Sequence, residues 1–210
     1  MFAEQHAEIA LELTGIFVFA VTGALVAVRK HLDIFGVLVL AGTTGLGGGF
    51  LRDVLIGATP PAALADWRYL LVPIAAGVFT FFFHPTLGRM EQSVNVLDAA
   101  GLGLFCITGA VKSLTYGLGP IPAVLMGMVT AIGGGMVRDL LAGRVPVVFS
   151  AELYATPAVA GAAWAVIATR ADWPTWAVVV PAFVLCFGWR VLALRRDWHA
   201  PTPGGGSASV

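Results

Sequence analysis

Charge is what this sequence has least of. Only 11% of its 210 residues are Asp, Glu, Lys or Arg, 12 of each sign, so the formal net charge is zero. Soluble domains carry about 25% charged residues, and a nucleic-acid binder shows a basic excess or stripe; neither class fits, and no nucleic-acid partner is expected. Cysteine is nearly absent too. Cys106 and Cys186 lie inside apolar runs, where a thiol acts as a small buried hydrophobe rather than as a disulfide partner or metal ligand. His6, His31, His84 and His199 are scattered over termini and loops, which argues against a metal centre. There is no HExxH, no Walker A and no clustered Ser/His/Asp pattern, and the glycine-rich GLGGGFLRD lacks the strand–turn–helix setting of a dinucleotide site. No enzyme and no cofactor are therefore expected. The basic stretch that opens a signal peptide is also missing, its place taken by Glu4, Glu8 and Glu12.

Apolar residues fill the space that charge leaves, at 58% with a mean hydropathy of +0.88. A helix needs about 20 such residues to cross the hydrocarbon core of a bilayer. Seven segments approach that length: Ile9–Val28, Ile34–Ile56, Tyr69–Phe83, Val94–Leu114, Ile121–Leu141, Leu153–Ala168 and Trp176–Leu194. Turn formers and charges separate them, as in Pro60-Pro61 through Asp66, His84-Pro85 through Glu91, and Gly117 through Pro120. The expected fold is an all-α membrane protein with seven transmembrane helices. Arg29, Lys30, Arg89, Arg144, Arg195 and Arg196 fall on the side of the C-terminus, against Arg68, Arg170 and Lys112 on the other. The bias places the C-terminus in the cytoplasm and the N-terminus outside. Trp67, Tyr69, Trp173, Trp176 and Trp198 stand near span ends, as interfacial aromatic belts do. Lys112 and Arg190, also close to span ends, are read as charges that snorkel to the interface.

The sequence repeats itself at an offset of 86 residues. Gly47-Gly48-Gly49-Phe50-Leu51-Arg52-Asp53 aligns with Gly133-Gly134-Gly135-Met136-Val137-Arg138-Asp139 without a gap, and the same register matches Phe19 to Phe105, Thr22-Gly23-Ala24 to Thr108-Gly109-Ala110, Thr44 to Thr130 and Glu12 to Asp98. Each copy holds three spans, and an odd number reverses the direction in which the next copy enters the membrane. The halves are therefore expected as an inverted-topology repeat. A single transmembrane domain over 1-196 comprises repeat 1 (about 9-83), repeat 2 (about 94-168) and a seventh helix (about 176-194), with a flexible C-terminal tail over 197-210.

Three successive glycines in a helix cost about 1 kcal/mol each relative to alanine, so spans two and five are expected to break or kink at Gly47, Gly48, Gly49 and at Gly133, Gly134, Gly135. Freed backbone groups at that depth must line a cavity or be buried in protein, and Thr44 and Thr130 would add side-chain oxygens beside the path. Arg52, Asp53, Arg138 and Asp139 follow within the spans; charges there face the interior, pair, or meet water. Neighbours on a helix do not face each other, so Arg52 should pair with an acid elsewhere, for which Glu12 and Asp98 are the candidates. These six form an intramembrane charge network or ion path.

Two copies of GGGxxRD, each in the second helix of a three-helix repeat, with a seventh helix closing the chain, closely resemble the prokaryotic branch of the trimeric intracellular cation (TRIC) channels, over residues 8 to 196. The resemblance implies a homotrimer in an inner (plasma) membrane, bathed in lipid. Each protomer would hold its own hourglass pore around the kinked second and fifth spans, passing monovalent cations with potassium the main ion and no bound metal beyond the transient cation. Animal members carry a lysine-containing motif and are associated with phosphoinositide binding; both copies here keep arginine, so that regulation does not carry over. The other reading is a facilitator or carrier of a small zwitterion such as glycine, whose carboxylate and ammonium would meet half-helix amides and carbonyls.

Overall fold

The computed structural model describes residues 2–83, 90–150 and 153–200; the expected loop start at His84-Pro85 and the tail from Pro201 onward lie outside them. The described residues form α1 (Phe2–Arg29), α2 (Ile34–Leu55), a four-residue α3 (Ala62–Ala65), α4 (Trp67–Phe83), α5 (Met90–Thr115), α6 (Pro120–Leu141), α7 (Ala155–Arg170) and α8 (Thr175–Arg196), with a 3-10 turn at Val147–Phe149. Each of the seven apolar segments is thus a helix. Five of them, α1, α2, α5, α6 and α8, are long and apolar enough to cross a membrane. The 17 residues of α4 and the 16 of α7 are shorter, and at 1.5 Å per residue α7 spans about 24 Å.

Local chemistry sets the helix ends. The Asp33 carboxylate accepts from the Gly36 N–H at 2.8 Å to open α2, and the Asp66 carboxylate accepts from the Arg68 N–H at 3.0 Å to open α4. The Arg68 side chain also donates to Asp66, holding that carboxyl below the ordinary aspartate range. Pro120 stands in the first turn of α6, where a missing N–H costs nothing. At the other ends, Gly57 and Gly143 take left-handed φ angles of 76° and 65° just beyond α2 and α6, a conformation that favours glycine. They occupy matched positions of the repeat.

Burial is inverted relative to a soluble domain. Phe35, Ile121, Ile167 and Trp176 are each more than 60% exposed, while Glu12, Arg52, Asp53, Asp98, Arg138 and Asp139 are buried. Charge inside and apolar surface outside is the arrangement lipid demands, since a charge facing hydrocarbon costs on the order of 3 kcal/mol or more. Trp67, Trp173, Trp176 and Trp198 are exposed as an interfacial belt requires, but Tyr69 is buried.

The glycine runs do not break their helices. Both α2 and α6 continue as uninterrupted α-helix through Gly47–Gly49 and Gly133–Gly135. Away from water the backbone has no competing partner for its hydrogen bonds, so the propensity deficit of glycine is overridden. What the missing Cβ atoms provide is proximity. A Cβ on Gly48 would stand 2.1 Å from the Thr130 carbonyl oxygen, and one on Gly134 would stand 2.3 Å from that of Thr44. The two helices cross backbone to backbone in opposite directions. Beside this crossing, α1 and α5 meet at Phe19 and Phe105, ring centroids 5.3 Å apart.

Candidate functional site

Two buried ion clusters flank the glycine crossing. Because α2 and α6 run in opposite directions, Arg52-Asp53 near the end of one and Arg138-Asp139 near the end of the other lie on opposite sides of it. In the first cluster, Arg52 Nη1 is 2.5 Å from the Glu12 carboxylate, an ion-pair contact without hydrogen-bond alignment, and Arg52 Nε donates to Asp53 Oδ1 at 2.8 Å. Glu12 also accepts from the Tyr69 hydroxyl at 2.6 Å. In the second, Arg138 Nη1 is 2.6 Å from Asp98 Oδ1, Arg138 Nε is 3.0 Å from Asp139 Oδ1, and the Thr22 hydroxyl accepts from Arg138 Nη1 at 3.2 Å. The aspartates tie down the chain beyond each helix in the same way: Asp53 Oδ2 accepts from the Ala62 N–H at 3.0 Å and Asp139 Oδ2 from the Val147 N–H at 3.2 Å.

All six sequence-predicted charges therefore enter networks, with Glu12 serving Arg52 and Asp98 serving Arg138. One expectation needs correcting. Each arginine also pairs with the aspartate next to it, because the guanidinium on its long stem folds back although the two Cβ atoms diverge. Thr44 and Thr130 are fully buried, each donating its hydroxyl to the carbonyl one turn back, Leu40 at 2.5 Å and Met126 at 2.6 Å. They pack as knobs on glycines of the neighbouring helix: Thr44 Oγ1 lies 2.5 Å from where a Cβ on Gly23 would be, and Thr130 Oγ1 lies 2.6 Å from the same point on Gly109.

A vestibule of about 590 Å³ opens onto the first cluster, lined among others by Glu8, Glu12, Tyr69, Thr108, Lys112 and Asp172. A pocket of about 20 Å³ lies at Arg52 and Asp53 themselves.

Comparison with known proteins places these features in a family. A family model described as a glycine transporter matches twice, over residues 9–85 and 95–170, in register with the two copies of the repeat. A UPF0126 membrane protein of Streptomyces coelicolor is 45% identical over 204 residues, covering 97% of this chain and 94% of that protein. A UPF0126 inner membrane protein of Escherichia coli K12 is 37% identical over 152 residues, 72% of this chain and 73% of its own. The solved structure of the TRIC trimeric intracellular cation channel orthologue from Rhodobacter sphaeroides has a TM-score of 0.88 at 40% identity, covering 91% of this chain and 99% of that one. A prokaryotic TRIC channel solved in 0.5 M KCl has a TM-score of 0.85 at 32% identity, covering 92% and 98%. This chain belongs to the prokaryotic TRIC family.

Within this TRIC-family chain, four site residues escaped sequence reasoning. Lys112 does not snorkel: its ammonium is 2.9 Å from Asp53 Oδ1. Arg190 is buried, donating to the Leu153 carbonyl at 3.1 Å with its guanidinium 5.1 Å from the Tyr154 ring centroid. Tyr69 belongs to the first cluster rather than to an aromatic belt. Tyr154 is its counterpart at the second, its hydroxyl and Asp98 Oδ1 standing 2.7 and 3.6 Å from the place a Cβ on Gly135 would occupy. A signal for the tyrosines was present: they match at an offset of 85, one residue out of register with the main repeat. The difference arises in the loop before α3 and the 3-10 turn: four residues separate Gly57 from Ala62 and three separate Gly143 from Val147, while Ala62 to Tyr69 and Val147 to Tyr154 are equally spaced.

Proposed function

We propose that this chain forms a channel for monovalent cations, mainly potassium, with a pore in each protomer lined by α2 and α6, assembled as a homotrimer in the inner membrane of a prokaryote. The observation that carries the reading is the pair of buried, carboxylate-containing clusters on opposite sides of one helix crossing, inside a helical body whose exterior is apolar. The likeness to solved TRIC cation channels supports it. Glu12, Asp53, Asp98 and Asp139 would supply the charged oxygens along the path, the carbonyls and hydroxyls of Thr44 and Thr130 the neutral ones, with Arg52 and Arg138 holding the carboxylates in place. The helices remain continuous at Gly47–Gly49 and Gly133–Gly135, so the pore is formed by packed helices rather than by broken ones.

We read the body as seven crossings, two inverted three-helix repeats followed by α8. Contacts between repeat mates support this: Gly48 meets Thr130 as Gly134 meets Thr44, and Phe19 meets Phe105. A pseudo-two-fold axis in the membrane plane generates such pairs. The basic bias of the loops supports an external N-terminus, and lipid would cover the apolar exterior.

The second reading, a carrier of a small zwitterion such as glycine, is favoured by the description of the family model. Sealed liposomes separate the two. A potassium gradient that drives an electrical current is expected. Saturable exchange of labelled glycine without any potassium current would replace the channel with the carrier.

A further inference from the structure

α8 carries a proline in its interior, Pro181. Proline has no backbone N–H, so the carbonyl four residues earlier, that of Ala177, loses its helical partner. Its place is taken from the neighbouring helix: Trp164 on α7 donates its indole N–H to the Ala177 oxygen at 3.1 Å. The proline also divides α8 by what each part touches. After it, the helix is locked in place. Ala182, Cys186, Arg190 and Ala193 are buried, a Cβ on Gly103 of α5 would stand 3.0 Å from the Phe183 ring, and one on Gly161 of α7 would stand 3.1 Å from the Ala182 carbonyl oxygen. Before it, Thr175, Val178 and Val179 line the vestibule. Trp164 stands behind that wall twice over, because its ring also meets Trp173 edge to face, centroids 5.8 Å apart, and Trp173 lines the vestibule as well. Val78 occupies the matched position of the first repeat, where there is no indole to give.

We propose that Trp164 is a positioning residue for the vestibule: by capturing the carbonyl that Pro181 releases, its indole N–H holds the first turns of α8 against α7 and so sets the width of the cavity. The consequence for ion flow rests on the cation-channel reading; the hinge itself does not. A helix interrupted by proline bends at that point. The segment after Pro181 is fixed by close packing, so a bend there moves the segment before it. With the bond made, the Ala177 carbonyl faces α7 and the cavity keeps its volume of about 590 Å³. With the bond lost, that carbonyl is drawn toward water, since a polar group without a partner inside the protein is costly. The vestibule is the nearest place where water enters the body. The segment then leaves its seat on α7 and moves into the cavity, which narrows, and Val178, 7% exposed in the seated position, comes into contact with water. The net worth of one such hydrogen bond corresponds to roughly a three- to tenfold change in the balance between the two positions.

The test uses Val178→Cys as a reporter in the purified full chain and measures its rate of reaction with a water-soluble maleimide in detergent. The chain without the reporter, whose Cys106 and Cys186 are buried, sets the background. Trp164→Phe keeps a ring beside Trp173 and deletes the donor. It is expected to raise the reporter's rate roughly three- to tenfold and, in planar bilayers, to lower the single-channel potassium current. Pro181→Ala returns an N–H to residue 181 and gives the Ala177 carbonyl its partner within α8. Adding Trp164→Phe to Pro181→Ala should therefore leave rate and current nearly where Pro181→Ala alone has them. That cancellation separates the hydrogen bond from the bulk of the indole, whose loss acts equally in both backgrounds. An unchanged rate in Trp164→Phe, or the same rise with and without Pro181, overturns the proposal. So does a faster rate with an unchanged current, since the segment would then move without altering the path. If Trp164→Phe does not fold, Pro181→Ala alone decides: its reporter is expected to react no faster than in the original chain, and a faster reaction overturns the proposal. Absence of potassium current from the unsubstituted protein overturns the channel reading, and the thiol rates still decide whether Trp164 holds the wall.

Discussion

Replacing Gly48 with alanine tests whether the glycine runs exist for the helix crossing. The new Cβ would fall 2.1 Å from the Thr130 carbonyl oxygen and 3.4 Å from the Gly134 nitrogen. Ordinary contact begins near 3.4 Å, so α2 and α6 must part by about 1.3 Å. The obstacle is backbone on both sides, and no side chain can rotate away. Overpacking a filled site costs about 1–3 kcal/mol, and this geometry belongs at the upper end, offset by about 1 kcal/mol of better helix propensity. A net loss of about 2 kcal/mol corresponds to a fall of roughly 4–8 °C in thermal midpoint for a chain of this size. Gly42 lies on the same helix with open space where its Cβ would be, so Gly42→Ala should hold or raise the midpoint. Both variants are read by thermal unfolding in detergent. Gly134→Ala, 2.3 Å from the Thr44 carbonyl, should behave like Gly48→Ala. The double variant should cost less than the two losses added, because each opens the same crossing. If Gly48→Ala melts at or above Gly42→Ala, the crossing does not depend on the absent Cβ and the packing argument fails.

Asp98→Asn removes the 2.6 Å partner of buried Arg138 and should destabilise by about 3–5 kcal/mol, as should Arg138→Met, whereas the double change Asp98→Leu with Arg138→Met should lose less than either alone; chemical unfolding of the three variants checks the order. Tyr69→Phe deletes one hydroxyl that donates to Glu12 at 2.6 Å, an expected loss of about 1.5–3 kcal/mol. Trp67→Phe, on an exposed side chain at the start of the same helix, should stay within about 0.5 kcal/mol, and equal losses in the two would contradict the assignment of Tyr69 to the cluster.

The helices and the charges were legible in the sequence because lipid imposes strict rules on both. An apolar run long enough to span has few alternatives to helix, and a charge within it must find a partner, so Glu12, Arg52, Asp53, Asp98, Arg138 and Asp139 stand out in the sequence itself. The role of the glycines was misread. Propensity scales measure helices against water-exposed coil, and that competitor is absent where Gly47–Gly49 and Gly133–Gly135 lie; what remains is the space a missing Cβ opens. The pairing of Arg52 with Asp53 was missed because facing rules concern Cβ positions, not the reach of a guanidinium. Tyr69, Tyr154 and Arg190 were hidden for another reason: they stand near helix ends, where an aromatic or a charge is ordinarily interfacial, and only the tertiary packing turns them inward.

Lys112 and Arg190 also change how a cation would be selected. Counted from the sequence, the charges inside the spans are four acidic and two basic, which suggests a standing negative field that draws cations in. With Lys112 bound to Asp53 and Arg190 buried beside Tyr154, the interior holds four of each sign and the field at rest is close to neutral. A neutral interior avoids the cost of leaving carboxylates unpaired in a low-dielectric body, but it attracts no cation by net charge. Arg52 and Arg138 are almost wholly buried and each held by two carboxylates, and Lys112 is held by Asp53. On the channel reading proposed above, a preference for cations would therefore rest on the oxygens placed along the path rather than on an excess of one sign.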